Sequence, residues 1–367
     1  MNEMVHGMKW ISTAVVVLLL SSLSVAAQTV TGYCMRYDQR HLLYQKNGQV
    51  NVIDIDMEWP LAAKGADVTA LQAFLAKNTF EQETANYEEA VEHFLQRFGA
   101  PVTKKFDTLP DDSAFCYVKV KTTLLGYQPG RYISLYAAYD CAPQPRSMQE
   151  KRHLTTFVTY DLAEGKLLHL KDVINLKKLD DTYKGKHVFY LEDQGEMTVI
   201  IVDGACLGQG DMYVNSIDGS CYKLDWTLMQ PYATNAARRL MEKKAKTPDK
   251  SIKYTLDNTF AGKHVFEKVD QPASFTRNGM DFRSYLTQYL ELPDEPAEKS
   301  IGNQMAVSVV IDEIGQVADV VVTAPCSPSI DREVVRVVKA MPRWNPAIVE
   351  GQTVCSRVNI PIEFKQQ

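Results

Sequence analysis

The chain has no Cys-x-x-Cys pair, no Gly-x-Ser-x-Gly, no His-Glu-x-x-His, no Walker loop and no dinucleotide fingerprint. These absences remove zinc ribbons, thioredoxin-type redox sites, serine-hydrolase elbows, zincin metal sites and phosphate cradles from the readings open to it. It has no clustered basic face either. Its 40 Lys and Arg against 45 Asp and Glu leave a net charge of −5 in a mixed-charge sequence, which offers nucleic acid nothing to hold. After the N-terminal segment, no window approaches the about twenty apolar residues that a membrane span needs. The His residues at 41, 93, 153, 169, 187 and 264 are scattered, with no pair at ligand spacing and no Cys two or three residues away. Asp111-Asp112 could serve acid–base chemistry, but a carboxylate pair after a Pro is read as a turn. No cofactor or metal is called for, and the chain reads as a binding protein, not an enzyme.

What is present begins with Lys9, an apolar run from Ile11 to Leu20, and small residues up to Ala27. That is the charged, apolar, small-residue order of a secretory signal, and Val25-Ala26-Ala27 suits a signal peptidase. Residues 1–27 are therefore expected to leave, with the mature chain starting at Gln28. An uncleaved anchor is the alternative. Met8-Lys9-Trp10 opens an ordinary signal, so Met8 is the expected start.

All seven Cys, at 34, 116, 141, 206, 221, 326 and 355, follow that segment. An exported chain meets oxidising conditions, and an odd count leaves at least one thiol unpaired. Segments 114–124 and 131–140 read as strands joined by the turn Gly126-Tyr127-Gln128-Pro129-Gly130. A hairpin centred between Gln128 and Pro129 sets Cys116 directly across from Cys141, within reach of a disulfide. Cys206 and Cys221 are the second candidate pair. Buried unbonded thiols are the alternative for both.

From residue 28 to 246 the pattern is α+β, a mixed helix and antiparallel-sheet domain with strands expected at 50–57, 114–124, 131–139, 154–161, 187–191 and 197–203. Two helices are expected. In 67–79 the residues Val68, Leu71, Phe74, Leu75 and Phe80 share a face; in 86–98 Ala90, Val91, Phe94, Leu95 and Phe98 do, and Gly99 sits at the cap. Such stripes are core. Asp56-Met57-Glu58-Trp59-Pro60, the run Tyr132 to Tyr139, and Phe157 to Leu162 followed by Gly165-Lys166 and Leu170-Lys171-Asp172 together resemble the extracytoplasmic domain of RsiV and of the non-catalytic part of PdaC. That resemblance implies recognition of another macromolecule. A polar connector, 247–263, follows.

The C-terminal segment 264–367 begins with two apolar strands between Met305 and Thr323, broken by Asp312-Glu313-Ile314-Gly315. Ser329 can cap a helix in which Ile330, Val334, Val337, Val338 and Met341 lie on one face, and Pro342 stops it. A final strand from about Thr353 to Phe364 completes a small β-β-α-β domain. Its crossover makes the second and last strands parallel, so Cys326 and Cys355 fall at opposite ends of the sheet. At ~3.3 Å per residue they should lie on the order of 15–20 Å apart, too far to bond.

The run Ile330 to Pro346, then Gly351-Gln352-Thr353-Val354 and Ile360-Pro361-Ile362-Glu363-Phe364, resembles the TonB C-terminal domain in its Bacteroidota form, with a matching lead-in from Val265-Phe266-Glu267 to Leu292-Pro293. The resemblance implies a domain that adds an extended segment of an outer-membrane TonB-dependent receptor to its sheet edge, with Val354, Ser356, Arg357, Val358, Asn359 and Ile360 facing the partner. Pro361, which has no donor, marks the last strand as an edge. A periplasmic binding or adaptor protein is the resulting expectation. A TonB-type energy transducer, if the N-terminal segment stays in the membrane, and an envelope sensor or inhibitor acting through the N-terminal domain are the alternatives.

Overall fold

The computed structural model describes residues 15–17, 28–29, 32–64, 66–102, 115–143, 151–182, 196–202, 211–215, 221–241, 253–277, 279–292 and 304–365. The chain divides into two compact units, Val25–Asp257 and Met1–Ser24 with Asn258–Gln367. Among the described residues no helix is long and apolar enough to cross a membrane. The expected strand 187–191 and the Asp111-Asp112 pair lie outside the described residues.

In the first unit a long hairpin joins Tyr33–Lys46 to Gln49–Ala63. Its turn residues Asn47 and Gly48 have φ of 52° and 77°, the left-handed pair that matches the twist of two flanking strands. Sequence reading marked only the second of these strands. The sheet continues through Phe115–Gln128, Tyr132–Pro143, Arg152–Asp161 and Lys166–Leu167. Gln49–Ala63 and Phe115–Gln128 pair in parallel, and the helices Thr69–Thr79 and Tyr87–Gln96 lie in the connection between them. Parallel neighbours need such a long crossover; the strands after the helices form the expected antiparallel run.

One face of this sheet is core. Ile53, Ile55, Met57, Trp59, Val118, Val120 and Tyr139 are buried together with Leu71, Leu75, Phe80 and Phe94 from the helices. Trp59 packs against Phe80 and Tyr87, and Phe94 against Tyr139. Period-2 alternation turns the intervening residues to the opposite face, where the register lines up His41, Asp54, Lys119, Asp140 and His153 across five strands. His41 Nδ1 lies 2.7 Å from Asp54 Oδ1, and His153 pairs with Asp140. A second core, with Leu168, Leu170, Val173, Val199, Ile201, Met212, Ala237 and Leu240 around Tyr132, fills the later part of the unit.

In the second unit Gln304–Ile311 and Val317–Ala324 form a hairpin, the helix Pro328–Lys339 follows, and Ser356–Lys365 pairs with the first strand. This is the expected β-β-α-β order, with Gln304–Ile311 in the middle. Both of its neighbours run antiparallel to it, so the second and last strands are parallel to each other. Val334, Val335, Val337 and Val338 bury the helix face. The cap is corrected from Ser329 to Ser327, whose side chain accepts from Ile330 N–H at 3.3 Å. Pro328 takes the first helical position, where its fixed φ is already helical and its missing donor costs nothing.

Three carboxylates of this unit are held below their ordinary pKa. Asp281 accepts from Ser284 N–H at a helix start, Glu313 from Lys263, and Glu333 from Arg336. A carboxyl with a depressed folded pKa binds fewer protons in the native state, so stability rises with pH through that range. The stabilisation is complete above the ordinary values of 4.5 for Glu and 3.8 for Asp, and is lost as pH falls through the folded values. Thermal melts from neutral pH downward should hold a constant Tm until about the ordinary Glu value, then fall. A Tm that stays flat below the ordinary Asp value would refute these contributions.

Candidate partner-binding edge

The lead-in to the second unit is laced to the segment before the last strand. Ser274 and Asn345 exchange backbone hydrogen bonds of 3.0 and 2.8 Å, Gln271 and Ile348 pair at 3.1 and 2.9 Å, and Phe266 N–H donates to Cys355 O at 2.9 Å. Val265 and Cys355 bury against Val310, and Phe275, Phe282, Tyr285 and Trp344 form an aromatic group. The last strand is thereby fixed at its start.

Backbone groups alternate in direction along a strand. Arg357 N–H donates to Phe266 O at 3.0 Å, on the side away from Gln304–Ile311. Residues 359, 361, 363 and 365 share that direction. Val15–Val17 pairs antiparallel with Glu363–Lys365 on the same side. Between Phe266 and Val17, Asn359 turns its N–H and C=O outward, and Pro361 its C=O alone.

The expected partner-facing set is corrected accordingly. Val354 is not on the last strand; it pairs with Ala347 in the hairpin Ala347–Val349 and Gln352–Val354, turned at Glu350-Gly351. That tight turn sends the chain back before Cys355, so the strand starts at Ser356. Ser356 and Ile360 are each 2% exposed and direct their backbone toward Gln304–Ile311. Arg357 spends its outward N–H on Phe266, and its guanidinium donates to Ser308 Oγ at 3.3 Å. Val358 is half-buried. Of the six, Asn359 is the one aimed outward in the open stretch. Sequence reading passed over Glu363 and Lys365, although the odd-numbered direction set by Pro361 includes both.

The thiols are also placed. Cys116 lies opposite Pro143, and Cys141 opposite Val118, because the hairpin turns about Gly130, with Gln128 opposite Tyr132, and not between Gln128 and Pro129. The directly opposed register is therefore corrected to a diagonal one. Both thiols remain on one face, buried, with Sγ atoms 3.1 Å apart. Burial first, and then Cys141, pushes the Cys116 thiol up to about 12. Cys206 lies outside the described residues, and Cys221 pairs through its backbone with Asn215. Cys326 and Cys355 are buried, past opposite ends of their strands.

Among the described residues no group of three or more His, Cys, Asp or Glu could hold a metal ion. No curated protein matches the chain. A solved structure similar to it is the crystal structure of a DUF3298 family protein from Pseudomonas aeruginosa PAO1, 11% identical, with a TM-score of 0.30, covering 56% of this chain and 95% of that one. Residues 288–366 match the family described as Gram-negative bacterial TonB protein C-terminal, a non-catalytic family. That match supports a TonB C-terminal domain at residues 288–366.

Proposed function

We propose that the protein is a periplasmic binding or adaptor protein that takes an extended segment of an outer-membrane TonB-dependent receptor as an added strand beside Ser356–Lys365. The observation that carries this reading is the stretch of that strand at Asn359 and Pro361, whose outward backbone groups meet no strand among the described residues, in a domain whose family interacts with such receptors and is typically periplasmic. Strand addition draws affinity from main-chain bonds and specificity from alternate side chains. The Bacteroidota form of the domain, and cleavage before Gln28, belong to the same reading.

A photo-crosslinker at Asn359 in envelope preparations should capture the periplasm-facing segment of a TonB-dependent receptor. Asn359→Pro removes one outward donor, and the loss of one such bond, about 1.4 kcal/mol, corresponds to roughly tenfold weaker capture. Products formed only with the chain itself would sink the proposal.

A second reading has its own observation. The row His41, Asp54, Lys119, Asp140 and His153 is a polar sheet face, of the kind an envelope sensor or inhibitor could present to an extracellular macromolecule, as the RsiV and PdaC resemblance implies. Substitutions Lys119→Glu and His153→Glu discriminate: under the adaptor reading they leave capture at Asn359 unchanged.

We infer further that Cys116 and Cys141 join on oxidation. The two thiols would pass two electrons and two protons to an external disulfide, supplied by a dithiol–disulfide exchange catalyst because burial keeps the Cys116 thiolate scarce at neutral pH. Non-reducing peptide maps of protein from an oxidising compartment should contain the 116–141 pair, and Cys116→Ser should cost about 2–4 kcal/mol of stability. Two free thiols in that protein would refute the bridge.

A further inference from the structure

In the full chain Val15–Val17 sit on the edge proposed for the partner. Val15 lies opposite Lys365, Val16 opposite Phe364 and Val17 opposite Glu363, and the helix Phe282–Tyr289 runs beside the same segment. Valine is suited to an extended, half-covered strand, and an edge gains by having its backbone groups paired.

We infer that Val15–Val17 is a built-in competitor for the receptor-binding edge, so that the site reaches its working length only when the N-terminal segment is withdrawn. This rests on the strand-addition reading and adds a regulation to it. With Val15–Val17 in place, the outward groups that meet no strand among the described residues are those of Asn359 and the carbonyl of Pro361. Once it is gone, Glu363 and Lys365 each add a donor and an acceptor, and the open stretch runs from Asn359 to Lys365. Cleavage of the leader and its insertion as a membrane anchor both remove the valines from the edge, so either fate switches binding on. The orientation also defines the partner: an extended segment with β-branched apolar residues, antiparallel to Ser356–Lys365, would reproduce the pairing that the valines make.

The test is amide hydrogen exchange on the full chain and on its Val15→Pro/Val17→Pro variant. Residues 15 and 17 oppose the outward-facing Lys365 and Glu363, so the prolines delete the donors on the seam and leave the rest of the unit intact. The amides of Glu363 and Lys365 should exchange slowly in the native full chain and at least about tenfold faster in the variant, while those of Val309 and Val310 in the central strand stay equally protected in both. Equal exchange at Glu363 and Lys365 in the two proteins would overturn the inference. Exchange reads pairing within the chain alone, so absence of a receptor crosslink at Asn359 would refute strand addition without touching this result.

Discussion

Asp161→Ala is expected to destabilise the first unit by about 3–5 kcal/mol, the usual consequence of leaving one member of a buried ion pair without its partner. Asp161 is fully buried at the end of Arg152–Asp161. Its Oδ1 accepts from Ala163 N–H at 2.9 Å, Glu164 N–H at 3.1 Å and Arg239 Nη1 at 3.0 Å, and its Oδ2 accepts from Arg239 Nη2. One carboxylate thus closes the turn after its own strand and ties that strand to the helix Asn235–Met241, which contributes Ala237, Leu240 and Met241 to the second core. Removing it leaves two backbone donors without their acceptor and the guanidinium with Glu164 alone, 3.7 Å away. Urea denaturation of the single variant and of Asp161→Leu/Arg239→Leu separates the effects: the double variant removes both charges and should lose much less than the single one. A single-variant loss under about 1 kcal/mol would show that water reaches this pair.

Gly315→Ala should cost the second unit about 2–4 kcal/mol, the range for a strained backbone combined with overpacking. Gly315 has φ of 83°, and a Cβ there would stand 2.0 Å from Trp344 O. The contact is backbone, with Trp344 N–H donating to Gly315 O at 2.7 Å, so no side chain can swing away to make room. Asp312 holds the same turn by accepting from Ile314 N–H and Gln316 N–H at 3.1 and 2.7 Å. Gly351→Ala is the control: its φ is 77°, but nothing lies within 4 Å of the added carbon, so it carries only the left-handed strain of about 1–2 kcal/mol. Equal melting shifts for the two variants would show that the approach to Trp344 is not what Gly315 provides. Because Trp344 leads into the segment laced to Ser274 and Gln271, the Gly315 variant should also weaken capture at Asn359, whereas the control should not.

The sequence by itself determined the β-β-α-β order of the second unit, both long helices of the first, and the buried stripes on them, because each follows from spacing within a dozen neighbouring residues. Val334, Val337 and Val338 recur at helical period, and Asp312 to Gly315 interrupt two apolar runs as a turn must. Asn47-Gly48 carried an equally local hairpin signal; strand Tyr33–Lys46 went unmarked because its outer half alternates polar residues that resemble a surface loop. Other features could be decided only by the tertiary structure. Alternation assigns a strand's faces but not its neighbours, so the parallel pairing of Gln49–Ala63 with Phe115–Gln128 was not legible. Counting gives a register only once the turn centre is known, and a turn about Gly130 in place of one between Gln128 and Pro129 moved Cys116 off Cys141. Pro361, by its missing donor, marked the stretch of the last strand that pairs only with Gln304–Ile311 among the described residues. What lies along that edge depends on Phe266 and Val17, 95 and 344 positions away in the chain. Backbone pairing between such distant residues leaves no periodic trace in either segment, since it is made by groups that every residue but proline possesses.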